Sequence, residues 1–247
     1  MHRFFVEKEQ IEDNNIKILG TDVKHIKDVI RLKEGDIVEI VAERKVYISQ
    51  IESLSKKQID FKVLDQYLGQ NEANTEIVLY QGLAKASKMD FIIQKCTELG
   101  VNKIYPLSSH RSVVKIKDAK KEESKVNRWN QIADEASKQS KRDALPKVEN
   151  IIDFNEMIEL LKDEENIIVA YEDEKGKSIG QAIKDIGKHK YHLIIGPEGG
   201  FEEYEIEKLR QIGANIVTLG PRILRTETAG IVAATIILYA GGDLGVI

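Results

Sequence analysis

Two stretches near the carboxyl end of the chain carry the residue types that could form a ligand site. Each is an apolar strand that runs into a Gly-Pro pair, a short irregular turn and then a helix. Strands are predicted at 191–195, turning through Gly196-Pro197-Glu198-Gly199-Gly200, and at 215–219, turning through Gly220-Pro221 toward Thr226. Ligands of open α/β sheets bind beyond the carboxyl ends of the strands. The two turns are therefore predicted to form one pocket, the candidate active site.

A phosphate is the first ligand to consider for glycine-rich turns. The chain contains no G-x-x-x-x-G-K-[ST] motif, and residues 196–201 do not match G-x-G-x-x-G. Pro197 removes a backbone N–H where a phosphate would need a donor, and Glu198 adds negative charge at the same place. The sequence therefore disfavours an ATPase or a Rossmann dinucleotide enzyme.

The same turns suit an apolar, flat and cationic ligand. Glycines let the backbone approach a ring, the prolines stiffen the turns, and Leu219, Ile223 and Leu224 provide apolar walls. S-adenosylmethionine has this character, because it combines an adenosine with a positively charged sulfonium. The pattern alone leaves open that both turns are tight sheet-to-helix crossings without a ligand.

Length and composition limit the class of protein. A chain of 247 residues with 42% hydrophobic and 32% charged residues is typical of one or two globular domains. The longest apolar run, 231–240, is shorter than the ~18 residues of a membrane span, and MHRFFVEKEQ lacks the apolar region of a signal peptide. The single Cys96 excludes an internal disulfide, and no Cys/His spacing resembles a zinc site. We expect a cytoplasmic, metal-free enzyme or binding protein.

Charge is unevenly distributed. From 108 to 147 there are eleven Lys or Arg and six Asp or Glu, a balance of +5, so a net charge of −4 leaves −9 for the remainder. Local basic surface attracts phosphates more than total charge does. The alternative is a solvated helix face of mixed charge.

The first part of the chain reads as a small β domain. Residues 36–42, 47–54 and 58–67 alternate apolar and polar side chains, as half-buried antiparallel strands do. A short helix is predicted at 23–30 with Asp22 as its N-cap, followed by a turn in which Gly35 can take a positive φ. We predict a β-barrel domain at 1–70, with a polar linker at 69–74.

From about residue 75 to 247, strands alternate with helices. Strands are predicted at 76–82, 102–107 and 166–171, and helices at 88–99, 122–141, 154–162 and 179–186. Glycine follows the last turn of helices at 100, 187 and 213, the usual place of a left-handed cap. This alternation predicts a largely parallel sheet with helices on both faces.

Several longer motifs resemble one family. IGPEGGF (195–201) and LGPRILRTETA (219–229) resemble the RsmE family of 16S rRNA uridine-N3 methyltransferases, of the SPOUT class. HRFFV and HIKDVIRLKEGD resemble its PUA-like N-terminal domain, and QKCTELGVNKIYPLSSHRSV and RWNQIADEASKQSKRDALP resemble two further segments. His110 stands where the family more often has Glu. The resemblance covers nearly the whole chain.

The resemblance implies a fold, a cofactor and an assembly. It implies an α/β domain with a deep trefoil knot and a mostly parallel sheet, a small PUA-like β-barrel, S-adenosylmethionine as cofactor, and a homodimer. It implies cofactor contacts at Ala170, Tyr171, Gly196, Gly199, Gly200, Leu219, Gly220, Ile223, Leu224 and Thr228.

Methylation of uridine N3 requires the loss of its proton, which leaves negative charge on the O2 and O4 oxygens. A cation placed there would stabilise that charge, and Arg225 is the candidate. The alternative for Arg225 is a structural ion pair with Glu227 or Glu198. The general base is Glu198 or a water molecule, and Glu198 could act only with a raised pKa.

The RNA substrate would be held through its phosphates, and its target base would leave the stack. The candidates are arginines, whose planar fork matches phosphate, and one lysine: Arg3, Lys27, Arg31, Arg111, Arg128 and Arg142. The alternatives are helix-surface solubility for Arg128 and Arg142 and a barrel-closing salt bridge for Arg3. Trp129 fits a packing anchor better than a base-stacking platform.

Three other functions compete with this one. They are ribose 2′-O-methylation of tRNA or rRNA by a SPOUT enzyme, a non-catalytic RNA-binding role in ribosome assembly, and an unrelated small-molecule enzyme. Both glycine turns and Arg225 favour catalysis, and the N-terminal β domain with the LRTETA turn favours uridine N3.

Overall fold

The structure, a computed structural model, describes residues 1–114, 118–183 and 189–245, except for the side chains of Thr21 and Ala86. Two compact units are present: Met1–Glu72 with Ser137–Leu145, and Ala73–Ala136 with Pro146–Ile247. Lys115 and Lys117 of the basic segment, and the end of the helix predicted at 179–186 with its stop at Gly187, lie outside the described residues.

The first unit is built on a six-stranded sheet. Its order is β1-β4-β5-β6-β3-β2, with β1 parallel to β4 and the other pairs antiparallel. The strands are β1 Arg3–Phe5, β2 Ile11–Glu12, β3 Asn15–Leu19, β4 Ile37–Ala42, β5 Lys45–Leu54 and β6 Gln58–Leu68. The three predicted strands are confirmed. Among the described residues no ladder joins β1 to β2, so the sheet of the predicted β-barrel domain is a half-barrel that is open at this edge.

A short helix covers one face of this sheet. Helix α1, Thr21–Lys24, continues into a π-helical turn, His25–Ile30, whose Ile26 is fully buried with the apolar side chains of the strands. The helix begins at Thr21, so Asp22 lies within its first turn and the predicted N-cap is wrong. Asp22 instead forms an ion pair with Lys138 at 3.2 Å. Gly35 takes the predicted positive φ, at 91°.

Residues 137–145 join the first unit through buried ion pairs. Arg3 is 4% exposed; its Nη1 lies 2.8 Å from Asp143 Oδ1 and its Nε lies 2.8 Å from Glu39 Oε2. Arg142 is 3% exposed and pairs with Glu72 at 2.6 Å. A buried guanidinium held by carboxylates has no free surface for a phosphate, and removing a partner leaves an uncompensated charge. Burial and pairing therefore count against Arg3 and Arg142 as RNA contacts, and Arg3 forms a salt bridge as its alternative supposed, although not one that closes a barrel.

The second unit contains a seven-stranded parallel sheet. Its order is β10-β8-β7-β12-β11-β13, with β9 beside β8. The strands are β7 Glu76–Gly82, β8 Lys103–Ser108, β9 Lys147–Val148, β10 Ile152–Asp153, β11 Ile167–Ala170, β12 Lys190–Ile195 and β13 Asn215–Val217. The helices are α2 Ala86–Leu99, α3 Ala119–Gln139 (its last turn in the first unit), α4 Phe154–Leu161, α5 Glu203–Gln211 and α6 Thr226–Ala240, with a 3-10 turn at Ile179–Gln181.

Helices pack on both faces of this sheet, as predicted. Alternate side chains of β7 and β12 point to opposite faces: Leu79 and Leu193 pack with α2, α3 and α6, whereas Tyr80 and Ile194 pack with α4 and α5. Trp129 of α3, 5% exposed, belongs to the first of these cores, which confirms its packing role.

Some boundaries differ from the prediction. The strands β9 and β10 were not predicted, because two residues cannot show a periodicity. Positive φ at Gly100 and Gly213 confirms both helix stops. In the described parts of the chain, no helix combines the length and apolar character that crossing a membrane requires.

Candidate active site

Four strand ends meet at one edge of the parallel sheet. The strands β7, β12, β11 and β13 are consecutive in the sheet and parallel, so their carboxyl ends lie side by side. The two glycine turns follow strands that are not adjacent, because β11 lies between β12 and β13. The segment after β11 therefore contributes to the site between the two turns.

The turns nevertheless enclose a common cleft. A cavity of about 280 Å³ is lined by Gly196–Glu198 and Gly200 of the first turn and by Ile223–Thr226 of the second. A smaller cavity of about 90 Å³ lies among the segment after β11 and residues 218–224. The two share five lining residues: Ala170, Glu172, Ile223, Leu224 and Ala229.

Close backbone approaches fix the shape of the cleft. A Cβ on Gly82, the last residue of β7, would lie 2.6 Å from the carbonyl carbon of Gly196 and closer still to the nitrogen of Pro197. Gly200 has a φ of 70°, and a Cβ there would overlap the Glu172 carboxylate. At Gly82 only glycine allows the approach without moving the first turn, and at Gly200 the positive φ itself favours glycine.

A buried hydrogen-bond chain connects α6 to this turn. The Thr226 hydroxyl donates to the Gly196 carbonyl at 2.6 Å, and Gln81 Nε2 donates to Thr226 Oγ1 at 2.8 Å. Gln81 is fully buried and Thr226 is 6% exposed. In this dry environment the chain holds the start of α6 against the ends of β7 and β12.

Lys88 lines the larger cavity and links the first turn to the first turn of helix α6. Its Nζ lies 3.4 Å from Glu198 Oε1 and 3.2 Å from Glu227 Oε2. Burial alone would raise the pKa of Glu198, but hydrogen bonds from its own amide and that of Lys85, together with Lys88, leave the pKa below its ordinary value. The raised pKa required of a general base is therefore absent, and Glu198 is not supported in that role.

Replacing Lys88 with methionine should destabilise the protein in a pH-dependent way. A carboxylate with a lowered pKa stabilises the fold above its unfolded pKa, and this contribution is lost as the pH falls through the folded pKa. We expect Lys88→Met to lower the free energy of unfolding by about 1 kcal/mol at pH 7 and by less at about pH 3. Urea unfolding at both pH values measures this. The control is Lys95→Met on α2, which removes a single half-buried pair with Glu98. Equal losses for Lys88→Met at both pH values would contradict the stabilising pair between Lys88 and Glu198.

Arg225 occupies the N-cap of α6, with φ −65° and ψ 152° and no side-chain capping hydrogen bond. It is exposed and lines the larger cavity. The alternative of an ion pair with Glu198 or Glu227 is wrong, because Lys88 holds both carboxylates. Among the described residues, no hydrogen bond or ion pair engages its guanidinium. A cation at a helix N-terminus opposes the helix dipole, which favours a functional reason for Arg225.

The structure brings together most of the residues that the resemblance implied as cofactor contacts. Eight of the ten line one or both cavities: Ala170, Tyr171, Gly196, Gly200, Leu219, Gly220, Ile223 and Leu224. Gly199 instead faces Arg111, and Thr228 lies exposed in the first turn of α6, outside both cavities. These ten assignments remain predictions.

The remaining phosphate candidates of this unit are exposed but paired. Arg111 Nη2 lies 2.7 Å from Glu202 and its Nη1 lies 3.3 Å from the Gly199 carbonyl, while Arg128 pairs with Asp90. His110 Nδ1 lies 3.2 Å from Glu202. A glutamate at position 110 would place two like charges together, which gives a local reason for histidine there.

Comparisons with known proteins agree with this geometry. A family model described as "RNA methyltransferase domain" matches residues 71–238, and one described as "RNA methyltransferase PUA domain" matches 18–64. The "Ribosomal RNA small subunit methyltransferase E" of Bacillus subtilis (strain 168) is 36% identical over 248 residues, 97% of this chain and 96% of the relative. The chain belongs to the ribosomal RNA small subunit methyltransferase E family.

Solved structures of the methyltransferase E family and its neighbours show the same fold. A Neisseria gonorrhoeae methyltransferase E bound to S-adenosyl methionine is 27% identical, with a TM-score of 0.84 and coverage of 96% of both chains. A putative Legionella pneumophila methyltransferase in complex with the cofactor SAM is 28% identical, with a TM-score of 0.82, covering 96% of this chain and 97% of that one.

Lys88 and Glu172 lie in the cleft but were not among the residues predicted from the sequence. Both follow the carboxyl end of a parallel strand, β7 and β11, so the strand-end rule that selected the glycine turns could also have selected them. Selecting them also requires the strand order of the sheet, which places β7 and β11 on either side of β12.

Proposed function

We propose that this member of the methyltransferase E family transfers a methyl group from S-adenosylmethionine to N3 of a uridine in 16S rRNA of the small ribosomal subunit. The observation that carries the proposal is one cleft that combines stiff glycine turns, apolar walls and an uncommitted guanidinium at Arg225. The names of the relatives support the RNA substrate, and the cofactor in two solved structures supports the methyl donor.

The residues of the cleft fit this cofactor. Ala170, Ile223 and Leu224 line both cavities and offer apolar surface to an adenosine. Pro197 supplies no N–H for a phosphate, and the close approach at Gly82 keeps the turn rigid. The cofactor, when bound, supplies an electrophilic methyl group. The predicted contact residues would hold its adenosine and methionine parts.

Arg225 is proposed to stabilise the negative charge that appears on the uracil oxygens when N3 loses its proton. A preorganised donor of this kind typically contributes 10²–10³ in rate. Because Lys88 and backbone amides keep Glu198 a weak base, the N3 proton is proposed to pass to water instead.

A trefoil knot is proposed for the second unit. The chain leaves β13 at the edge of the sheet, and residues 218–225 lead it to α6, which packs on β7, β12 and α2 nearer the centre. Gln81 and Gly196 hold the start of α6 there. This return path past the end of β11 supports a threaded connection.

In the first unit, proposed as the PUA-like RNA-binding domain, Lys27 and Arg31 remain phosphate candidates. Arg31 is exposed, takes a left-handed conformation with φ 63° after the π-helical turn, and has no partner among the described residues. Lys27 Nζ donates to the Ser55 carbonyl at 3.0 Å.

Replacing Arg31 with glutamine should weaken RNA binding without unfolding the protein. Each lost phosphate contact lowers the slope of log K against log salt by about 0.7–0.9. Fluorescence anisotropy of a labelled rRNA fragment at several salt concentrations measures that slope. Lys17→Gln is the control, because Lys17 is already paired with Glu12 at 2.8 Å. An unchanged slope for Arg31→Gln would remove Arg31 from the contacts.

A homodimer in the cytoplasm completes the proposal. Phe91 of α2 and Tyr239 of α6 are 45% and 68% exposed, on two helices that pack together, and aromatic side chains are enriched at interfaces. Sedimentation equilibrium would measure the mass of the assembly.

The decisive experiment supplies methyl-labelled S-adenosylmethionine with either 30S subunits lacking this modification or free 16S rRNA. Mass spectrometry of the nucleosides should show N3-methyluridine. A 2′-O-methylated nucleoside would identify a ribose methyltransferase, and cofactor binding or RNA binding without transfer would identify a non-catalytic role.

A further inference from the structure

In the larger cleft, two charged side chains form no hydrogen bond or ion pair with the described residues, and only one of them has a role in the proposed reaction. Lys88 forms ion pairs with Glu198 and Glu227, so the two remaining charged side chains of the cleft lining are Arg225 and Glu172. In the described part of the chain, no hydrogen bond or ion pair engages the Glu172 carboxylate. Arg225 suits the anionic charge of a uracil, so Glu172 remains unexplained.

Glu172 is placed to meet a ligand. It follows β11 by two residues and lines both cavities, and its carboxylate lies against Gly200, where a Cβ would overlap it. The nearby Arg111 is committed to Glu202 at 2.7 Å and to the Gly199 carbonyl at 3.3 Å. An anionic group at a cleft wall, beside apolar surface and a glycine, is complementary to a cationic ligand that is otherwise apolar.

We infer that Glu172 recognises a positive charge of the methyl donor. This rests on the proposed function. S-adenosylmethionine has two candidate cations, the sulfonium and the α-ammonium, and methyl transfer converts the sulfonium to a neutral thioether. If the sulfonium is the partner, the carboxylate favours the donor over the product S-adenosylhomocysteine and promotes product release.

Calorimetric binding of three ligands to the full chain tests this. S-adenosylmethionine carries both cations, S-adenosylhomocysteine carries only the ammonium, and 5′-methylthioadenosine carries neither. Glu172→Gln should lower the affinity for S-adenosylmethionine about tenfold and leave the affinity for 5′-methylthioadenosine unchanged. A loss of affinity for S-adenosylmethionine alone identifies the sulfonium as the partner of Glu172. An equal loss for S-adenosylmethionine and S-adenosylhomocysteine identifies the ammonium. Asp173→Asn removes the same charge one residue away, on a side chain that lines neither cavity.

Two results would overturn the inference. One is an affinity of Glu172→Gln for S-adenosylmethionine equal to that of Asp173→Asn, and the other is an equal loss of affinity for all three ligands. Both would give Glu172 no cation to recognise. Because Glu172 is exposed, the variant should keep the parent melting temperature. Failure of the parent protein itself to bind S-adenosylmethionine would be a different outcome, since it would refute the proposed function.

Discussion

An Arg225→Ser variant is expected to unfold at a higher temperature than the parent protein and to lose nearly all methyl transfer. Arg225 caps α6 without a side-chain hydrogen bond and places a positive charge at the positive end of a helix. Serine removes that repulsion and can accept a hydrogen bond from the first turn, together worth about 1 kcal/mol. Activity should fall about 10²–10³-fold, because no other donor replaces the guanidinium.

The two effects have opposite signs, so a folding defect cannot explain the lost activity. Calorimetric unfolding, cofactor titration and single-turnover transfer measure stability, binding and chemistry separately. Cofactor affinity should stay within about twofold, because the proposed partner of Arg225 is the uracil. Arg225→Lys, which keeps the charge but loses the planar fork, should recover part of the activity. Parent-like turnover of Arg225→Ser would remove the residue from the mechanism.

A Gly82→Ala variant is expected to lose cofactor binding although Gly82 lines neither cavity. The new methyl group would meet backbone atoms of Gly196 and Pro197, which cannot rotate away as a side chain could. The first turn must therefore move, at a cost of about 1–3 kcal/mol in stability. Since this turn lines the larger cleft, we expect the affinity for S-adenosylmethionine to fall at least about tenfold.

Gly180→Ala is the matched control. Gly180 lies in the 3-10 turn of the same unit, with no atom within 4 Å of an added Cβ. Its cofactor affinity and melting temperature should match the parent protein. If Gly82→Ala also bound the cofactor normally, the close approach of β7 to the Pro197 turn would not shape the site.

Local patterns in the sequence were sufficient for most of the elements and for the family. The period-two strands of the first unit and the strand-to-helix alternation of the second are properties of neighbouring residues, and burial of their apolar faces requires little else. The turns at Gly196 and Gly220 were found in the same way, and their motifs indicated the family. The chemistry of the reaction indicates Arg225 without any knowledge of its N-cap position.

The tertiary structure decided which side chains face the cleft and which are buried. Arg3 meets Asp143 and Arg142 meets Glu72, partners 140 and 70 residues away, so the sequence could not show that these arginines are interior. Likewise, only the order β7-β12-β11-β13 brings Lys88 and Glu172 to the glycine turns. A sequence specifies the chemical type of each charge, whereas its partner and its exposure to water depend on pairings between distant segments.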